Sequence, residues 1–463
     1  MSTLSQDVVQ PRFALIAATL ASFLTPFTSS SLNLAIPSIG AEFKADAMSL
    51  NWVVSAFLLT SAAFLLPFGR LADLYGRKKI FLAGISGYTL FSLLSALAPN
   101  LLLLITFRAL QGISSAMIFG TAVAILTSVF PPQERGRVLG INAAAVYTGL
   151  TLGPFLGGLL THQFGWRSIF LATFLVGAIT LTLAGTKLKS EWVGNREEKF
   201  DITGSFLSVF SLGALIYGSS TLSSGVAHVV LLFIGIAGIS IFVWYERTTP
   251  YPLLNLRLFT SNRPFAFSNL AALINYSATF GSGFLLSLYL QLVKGLDPQV
   301  AGSVLLIQSL IQVILSPIAG YLSDKMEPRL VASTGMALTS LGLFILAFLG
   351  PYSSLIAIIT NLILLGTGFG LFSSPNTNAV MSSVPKAYYG IASSTLGTMR
   401  LVGQAFSMAV VALIFSFYFK GIPITPETSS LLLTSNHISF LAFAVLSAAG
   451  ILPSLARGEI HGN

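Results

Sequence analysis

Fourteen apolar runs, each long enough to cross a bilayer and separated by short polar turns, constrain this chain more than any other feature. A spanning helix needs about 20 predominantly apolar residues. The runs at 13–39, 51–71, 80–98, 101–128, 138–160, 167–185, 203–222, 227–245, 264–290, 299–320, 331–349, 352–374, 391–418 and 436–456 meet that requirement. Barrel strands would alternate apolar and polar residues over about ten positions, and these runs do not. The expectation is an all-α polytopic membrane protein with fourteen transmembrane helices. Only 8% of the 463 residues are charged, where a soluble domain carries about 25%.

The placement of the charges then orients the spans. With the N-terminus inside, 18 of the 24 Lys and Arg fall in inner segments, among them Arg70, Arg77, Lys78, Lys79, Arg135 and Arg137. Outer loops hold Lys44, Arg167, Lys294 and Lys420, and Arg108 and Arg400 lie within spans. This is the excess that fixes membrane topology, so both termini are expected in the cytoplasm and the protein in the cell membrane. The net charge of +9 is therefore a matter of orientation rather than of nucleic-acid binding. Without cysteine there are no disulfides and no thiolate metal site. The first run is too long for a signal-peptide core and should stay as span 1.

A charged motif sits in the turn between spans 2 and 3: Gly69-Arg-Leu-Ala-Asp73-Leu-Tyr-Gly76-Arg77-Lys78-Lys79. Gly76 permits a sharp turn without a Cβ clash, and Asp73 can accept from backbone N–H groups at a helix start or pair with arginine. Read on charge alone, the stretch is an ordinary basic anchor. Gly69-x-Leu71-x-Asp73 recurs, degraded, as Gly320-x-Leu322-x-Asp324 after span 10, and Ser128-Val129 recurs as Ser383-Val384. Such repeats argue for two six-helix bundles related by an axis along the membrane normal. The chain then divides into a tail (1–12), a first bundle (13–185), inner loops with two inserted helices, spans 7 and 8 (186–263), a second bundle (264–456) and a final tail (457–463).

The spacing G-x-L-A-D-x-x-G-R-K resembles the signature loop of the major facilitator superfamily, with Leu74 where that family usually carries a base. Arg108-Ala-Leu-Gln111-Gly112 in span 4 is similar to the family's span-4 arginine motif. Gly149, Gly153, Pro154, Gly157 and Gly158 in span 5 resemble its antiporter motif, and Trp166-Arg167 and Tyr289-Leu290-Gln291 add weaker matches. With fourteen spans, the chain resembles the drug:proton antiporter branch of multidrug exporters. That resemblance implies a secondary transporter, not an enzyme, monomeric, working by alternating access, with a latch formed by Gly69, Asp73, Gly76, Arg77, Lys78, Arg137 and Asp324. Arg77, Arg135 or Arg137 are the candidate partners of Asp73.

One departure concerns the coupling ion. Members of that branch commonly carry an aspartate in span 1 ahead of an Asn-x-Ala-x-Pro pattern. Asn33 to Pro37 match the pattern, but the earlier position is Thr28. All fifteen acids fall in loops or close to span ends. Proton coupling usually needs an ionisable group at depth, so protons as coupling ion rest on the resemblance alone. Arg108 and Arg400 are each about 12–14 Å into their spans at about 1.5 Å per residue. Either they fix helix packing through neighbours such as Gln111 and Gln404, or they make a cavity positive and favour neutral, zwitterionic or anionic amphiphiles over cations.

Thr28, Asn33, Asn142, Tyr147, Asn275, Tyr276, Gln308, Gln312 and Gln404 complete the candidates for a substrate cavity. Many such amides bond helix to helix instead. No phosphate-cradling G-x-x-x-x-G-K-[ST] loop or H-E-x-x-H is present, and neither a cofactor nor a metal is expected. The expected cargo is a hydrophobic or amphipathic small molecule moved outward. The alternatives are a facilitator or exporter of one metabolite, not proton-coupled, and a channel or receptor on the same fold.

Overall fold

The computed structural model describes residues 11–44, 47–193, 198–220, 226–254, 256–419 and 426–459. Fifteen α-helices are seen among them, and no strand. In chain order they are α1 (Pro11–Phe43), α2 (Ala47–Tyr75), α3 (Arg77–Ala96), α4 (Leu101–Val129), α5 (Pro132–Phe164), α6 (Arg167–Lys187), α7 (Ile202–Ser220) and α8 (Val226–Thr248). The four-residue α9 (Arg257–Thr260) precedes α10 (Arg263–Leu288), α11 (Pro298–Lys325), α12 (Pro328–Ala347), α13 (Leu355–Ser382), α14 (Tyr389–Phe419) and α15 (Ser429–Ala456). Thirteen helices are long and apolar enough to cross a membrane, and α7 offers a shorter apolar stretch, Ile202–Gly218.

The turns explain where the helices start. Asn100, Asn262 and Ser354 cap α4, α10 and α13 by accepting from the backbone N–H three residues on, the usual way to satisfy an orphan donor. Proline occupies the first turn of α5, α10, α11 and α12, where its missing N–H costs nothing. Gly76, with φ 119°, stands between α2 and α3, in a region that L side chains rarely adopt.

Packing divides the helices into two groups. The first is α1–α6, in which α1 lies on α5, α2 on α4, and α3 on both α4 and α6. The second is α10–α15, with α10 on α14 and α15, α11 on α13, and α12 on α13 and α15. Each group has its own apolar core, one around Phe81, Ile85 and Tyr88, the other around Tyr289, Phe440 and Phe443. The groups meet through α5 against α11 and α2 against α14. The inserted pair packs α7 on α8, and α7 also touches α2 and α14, with Trp52 stacked on Tyr217 at 5.1 Å.

Small residues set the closest approaches, as expected where lipid provides no drive to bring helices together. A Cβ on Gly149, Gly153 or Gly157 would strike α1 at Phe23, Ser30 or Ser31. Ser30 and Ser31 in turn donate to the Gly149 and Gly153 carbonyls, at 3.2 and 2.9 Å. The glycine stripe of α5 is thus the seam against α1; Pro154 and Gly158 are half-buried beside it.

Candidate functional site

The strongest polar arrangement forms where α2 ends. Asp73, fully buried, pairs across the Gly76 turn with Arg77, the first residue of α3, whose Nε and Nη2 donate to its Oδ1 at 3.0 and 2.8 Å. The same carboxylate reaches across to the other helix group. The backbone N–H of Gly390 donates to Oδ1 at 2.8 Å and that of Ile391 to Oδ2 at 2.9 Å. These are first-turn amides of α14, where a helix has unpaired donors and a partial positive charge. Arg77 also donates to the Lys386 carbonyl and to Ser128 Oγ (2.8 Å), and lies over the Tyr389 ring at 5.3 Å.

The second copy of the motif does the same in the opposite direction. Asp324, at the end of α11, accepts from the Gly136 N–H at 2.6 Å and the Arg137 N–H at 2.8 Å, both in the first turns of α5. Asn378 on α13 adds its amide at 3.4 Å. Each aspartate therefore caps a helix of the group to which it does not belong. Ser374 donating to the Gly136 carbonyl (3.2 Å) and Ser393 donating to that of Phe119 (3.1 Å) join the groups at the same end.

Glycine makes both crossings possible. A Cβ on Gly69 would meet Ser394 and the Gly390 carbonyl, and one on Gly390 would meet the Gly69 carbonyl and the Asp73 carboxylate. Gly136 and Gly320 stand in the same relation to each other. The recipient glycines, Gly136 and Gly390, are missing from the expected set. A sequence signal for them exists: each lies five residues after a proline, Pro131 or Pro385.

Of the expected partners of Asp73, Arg77 is the one that binds it. Arg135 instead donates from Nε to the Phe130 carbonyl at 3.3 Å and lies over Tyr389 at 5.5 Å. Arg137 contributes its backbone N–H, to Asp324 rather than Asp73. Lys78 likewise acts through its backbone, donating to Glu191 Oε1 at 2.8 Å, beside Gly76. With the Trp192 carbonyl accepting from the Arg77 N–H at 2.9 Å and Arg70 paired to Glu198, the segment after α6 is strapped over the motif turn.

The cavity candidates separate into two sets. Arg108 is fully buried inside the first group. It donates to the Val53 carbonyl (3.0 Å) and Gln111 Oε1 (2.5 Å), and packs over Phe57 at 4.3 Å; Gln111 continues the chain to Ser92 Oγ at 2.7 Å. Thr28 bonds Thr173 at 3.0 Å and the Leu24 carbonyl at 2.8 Å, between α1 and α6. Both positions hold helices together. The side chain of Asn33 lies outside the described residues.

The second set spans both groups. The Tyr147 phenol (α5) lies beside Tyr276 (α10), Ser373 (α13) and Arg400 (α14). The Arg400 guanidinium stands over the Tyr276 ring at 5.1 Å, and its buried Nε has no protein partner. Asn275, next to Tyr276, is buried with both amide atoms unpartnered, and Asn142 is buried with a free Oδ1. Gln312 is buried and Gln308 and Gln404 half-buried, with no side-chain hydrogen bond tying them to this set among the described residues. No group of three or more His, Cys, Asp or Glu that could hold a metal occurs among the described residues.

Comparison with known proteins gives a consistent result. The sequence model of the Major Facilitator Superfamily matches residues 18–408 and 268–458. Multidrug resistance protein Stp of Mycobacterium tuberculosis (strain CDC 1551 / Oshkosh) is 33% identical over 412 residues, 88% of this chain and 76% of that protein. Riboflavin transporter RibZ of Clostridioides difficile (strain 630) is 31% identical over 445 residues, 94% and 95% of the two chains. The crystal structure of the human organic anion transporter MFSD10 (TETRAN) superposes with a TM-score of 0.68 at 15% identity, over 96% of this chain and 99% of that one.

Proposed function

This chain belongs to the Major Facilitator Superfamily, and we propose that it exports hydrophobic or amphipathic small molecules across the cell membrane by alternating access. The observation that carries the mechanism is the reciprocal capping: Asp73 on the α14 amides and Asp324 on the α5 amides close the two helix groups at one end. That end bears the basic turns, and the excess of Lys and Arg there supports a cytoplasmic location for it and for both termini. The conformation is then closed inward. Reopening that end requires both aspartates to release their amides, which couples the two crossings into one step. The division into two bundles of six and an inserted pair is the frame in which that step occurs.

The substrate is held, on this reading, by the set that both groups contribute: Tyr147, Tyr276, Ser373 and Arg400. Aromatic faces accept varied apolar rings, and a guanidinium with a buried Nε left unpartnered favours neutral, zwitterionic or anionic partners over cations. Arg108, enclosed within its own group, tunes the packing of that group. The similarity to Stp supports multidrug export. A second reading, transport of one planar metabolite, is favoured by the tight grouping of two tyrosines with a single arginine, and the similarity to RibZ is consistent with it.

Flux of a panel of dyes and flavins in proteoliposomes, with and without a pH gradient, tests both. Saturable transport of several unrelated amphiphiles supports the first reading, and saturable transport of one compound alone supports the second. Non-saturable flux would mark a channel and overturn both. Acceleration by a pH gradient would identify protons as the coupling ion.

A further inference from the structure

The inserted helices carry a polar site that the clamp and the cavity do not use. Asp201 caps α7: its Oδ1 accepts from the Gly204 N–H at 2.8 Å and from the Tyr245 hydroxyl at 3.2 Å. Glu246, near the end of α8, accepts through Oε2 from the Leu254 N–H at 2.8 Å. Each carboxyl group thus has one oxygen committed to donors. The other two, Asp201 Oδ2 and Glu246 Oε1, are buried with no hydrogen-bond partner. Both lie against the same point, since a Cβ on Gly204 would strike the two of them together. Asp201 is 9% exposed and Glu246 3%.

Two ionised carboxylates cannot rest face to face, out of water, with acceptor atoms opposed. One of them must take up a proton, or a cation must lie between them. Capping and loop bracing explain Oδ1 and Oε2, but leave Oδ2 and Oε1 without a reason to be buried. Among the described residues, the charged and titratable groups facing the pair are the Tyr245 phenol on α8 and, from α2, Arg70. Arg70 acts on Glu246 through space and is itself paired to Glu198 in the segment before α7. Its buried Nε has no partner. Arg70 and Glu198 line a cavity of about 150 Å³ with Tyr251, Leu253 and Tyr388, beside the segment that braces Glu246.

We propose that Asp201 and Glu246 form a proton-binding pair, in which a proton on Glu246 Oε1 is donated to Asp201 Oδ2. Losing that proton to water in the adjoining cavity leaves two negative charges facing Arg70. Arg70 lies three residues before Asp73, so the second charge draws on the same helix end that forms the clamp. The site adds a buried carboxyl oxygen that no donor occupies, unlike those of Asp73, both of which are bound, and it holds for any substrate.

The test is infrared spectroscopy of the full-length protein in nanodiscs, titrated from pH 5 to pH 9. The wild type is expected to show a protonated-carboxyl band that persists at neutral pH and fades toward alkaline pH. Most of that band should vanish in Glu246→Gln and again in Asp201→Asn, either of which can still hydrogen-bond across the gap. Absence of such a band in the wild type at pH 7, which is also the result expected of a shared metal cation, would overturn the proposal whatever the variants do. An unchanged band in a folded variant would overturn it as well.

Discussion

Asp73 and Gly390 are 317 residues apart in the chain, yet the Gly390 N–H donates to the Asp73 carboxylate at 2.8 Å, across the line where the two helix groups meet. The equivalent bond from Gly136 to Asp324, at 2.6 Å, runs in the opposite sense. A carboxylate bound by backbone amides is indifferent to the side chains of the recipient helix. The clamp therefore depends on two aspartates and on how closely two glycine pairs allow the helices to approach.

Asp73→Asn keeps the shape and removes the charge. It weakens charge-assisted bonds of about 1.5–3 kcal/mol each, and about 1.4 kcal/mol already shifts an equilibrium tenfold. Dye flux in proteoliposomes should fall at least about tenfold while the protein stays folded by size exclusion. Wild-type flux in that variant would remove the clamp from the mechanism.

Gly390→Val places a branched side chain against the Gly69 carbonyl and the Asp73 carboxylate. Overpacking of this kind costs about 1–3 kcal/mol, all of it in the clamped conformation. The chain has no cysteine, so single cysteines introduced at the clamped end report its opening without background. Labelling there should rise several-fold in Gly390→Val and in Gly136→Val. Equal labelling in variant and parent would mean that the approach of these helices does not govern access.

Arg108→Ala and Arg400→Ala should separate the two arginines. Removing Arg108 leaves the Val53 carbonyl and Gln111 without their partner in a buried site, at a cost of about 1–3 kcal/mol, so the melting temperature should drop by several degrees. Arg400→Ala should leave melting nearly unchanged and shift preference from anionic toward cationic dyes. Anion-over-cation preference unaltered by Arg400→Ala would exclude that guanidinium from substrate selection.

At the opposite end, Glu42 accepts from Arg167 at 2.6 Å and from Trp166 Nε1 at 2.8 Å. The Arg167 hydrogen bond, then that of Trp166, holds its carboxyl below the ordinary glutamate range. A group lowered on folding stabilises the folded state above its unfolded value of about 4.3 and loses that contribution as pH falls through the lowered one. The ion pair is exposed, so the effect is below about 1 kcal/mol. Melting curves below pH 5 should show a shallower acid decline in Glu42→Gln than in wild type; parallel declines would rule the contact out as a source.

The spans, the turn at Gly76 and the pairing of Gly69–Asp73 with Gly320–Asp324 were legible in the sequence because they are local. Hydropathy over about 20 residues decides whether a segment enters lipid, and a glycine or proline decides a turn within a few residues. Arg77 as partner of Asp73 was also within reach, being four residues on across the Gly76 turn.

Sequence alone therefore determined a polytopic helical chain with a duplicated acidic motif, and with it the family. Tertiary structure decided what those acids do, that each aspartate binds the other group's backbone and that Asp201 meets Glu246, and it enclosed Arg108 within one helix group while setting Arg400 beside residues of both. These partners lie 45 to more than 300 residues apart in the numbering. Their meeting depends on how closely helices pack where glycine replaces a side chain, and no local property of the chain encodes that distance.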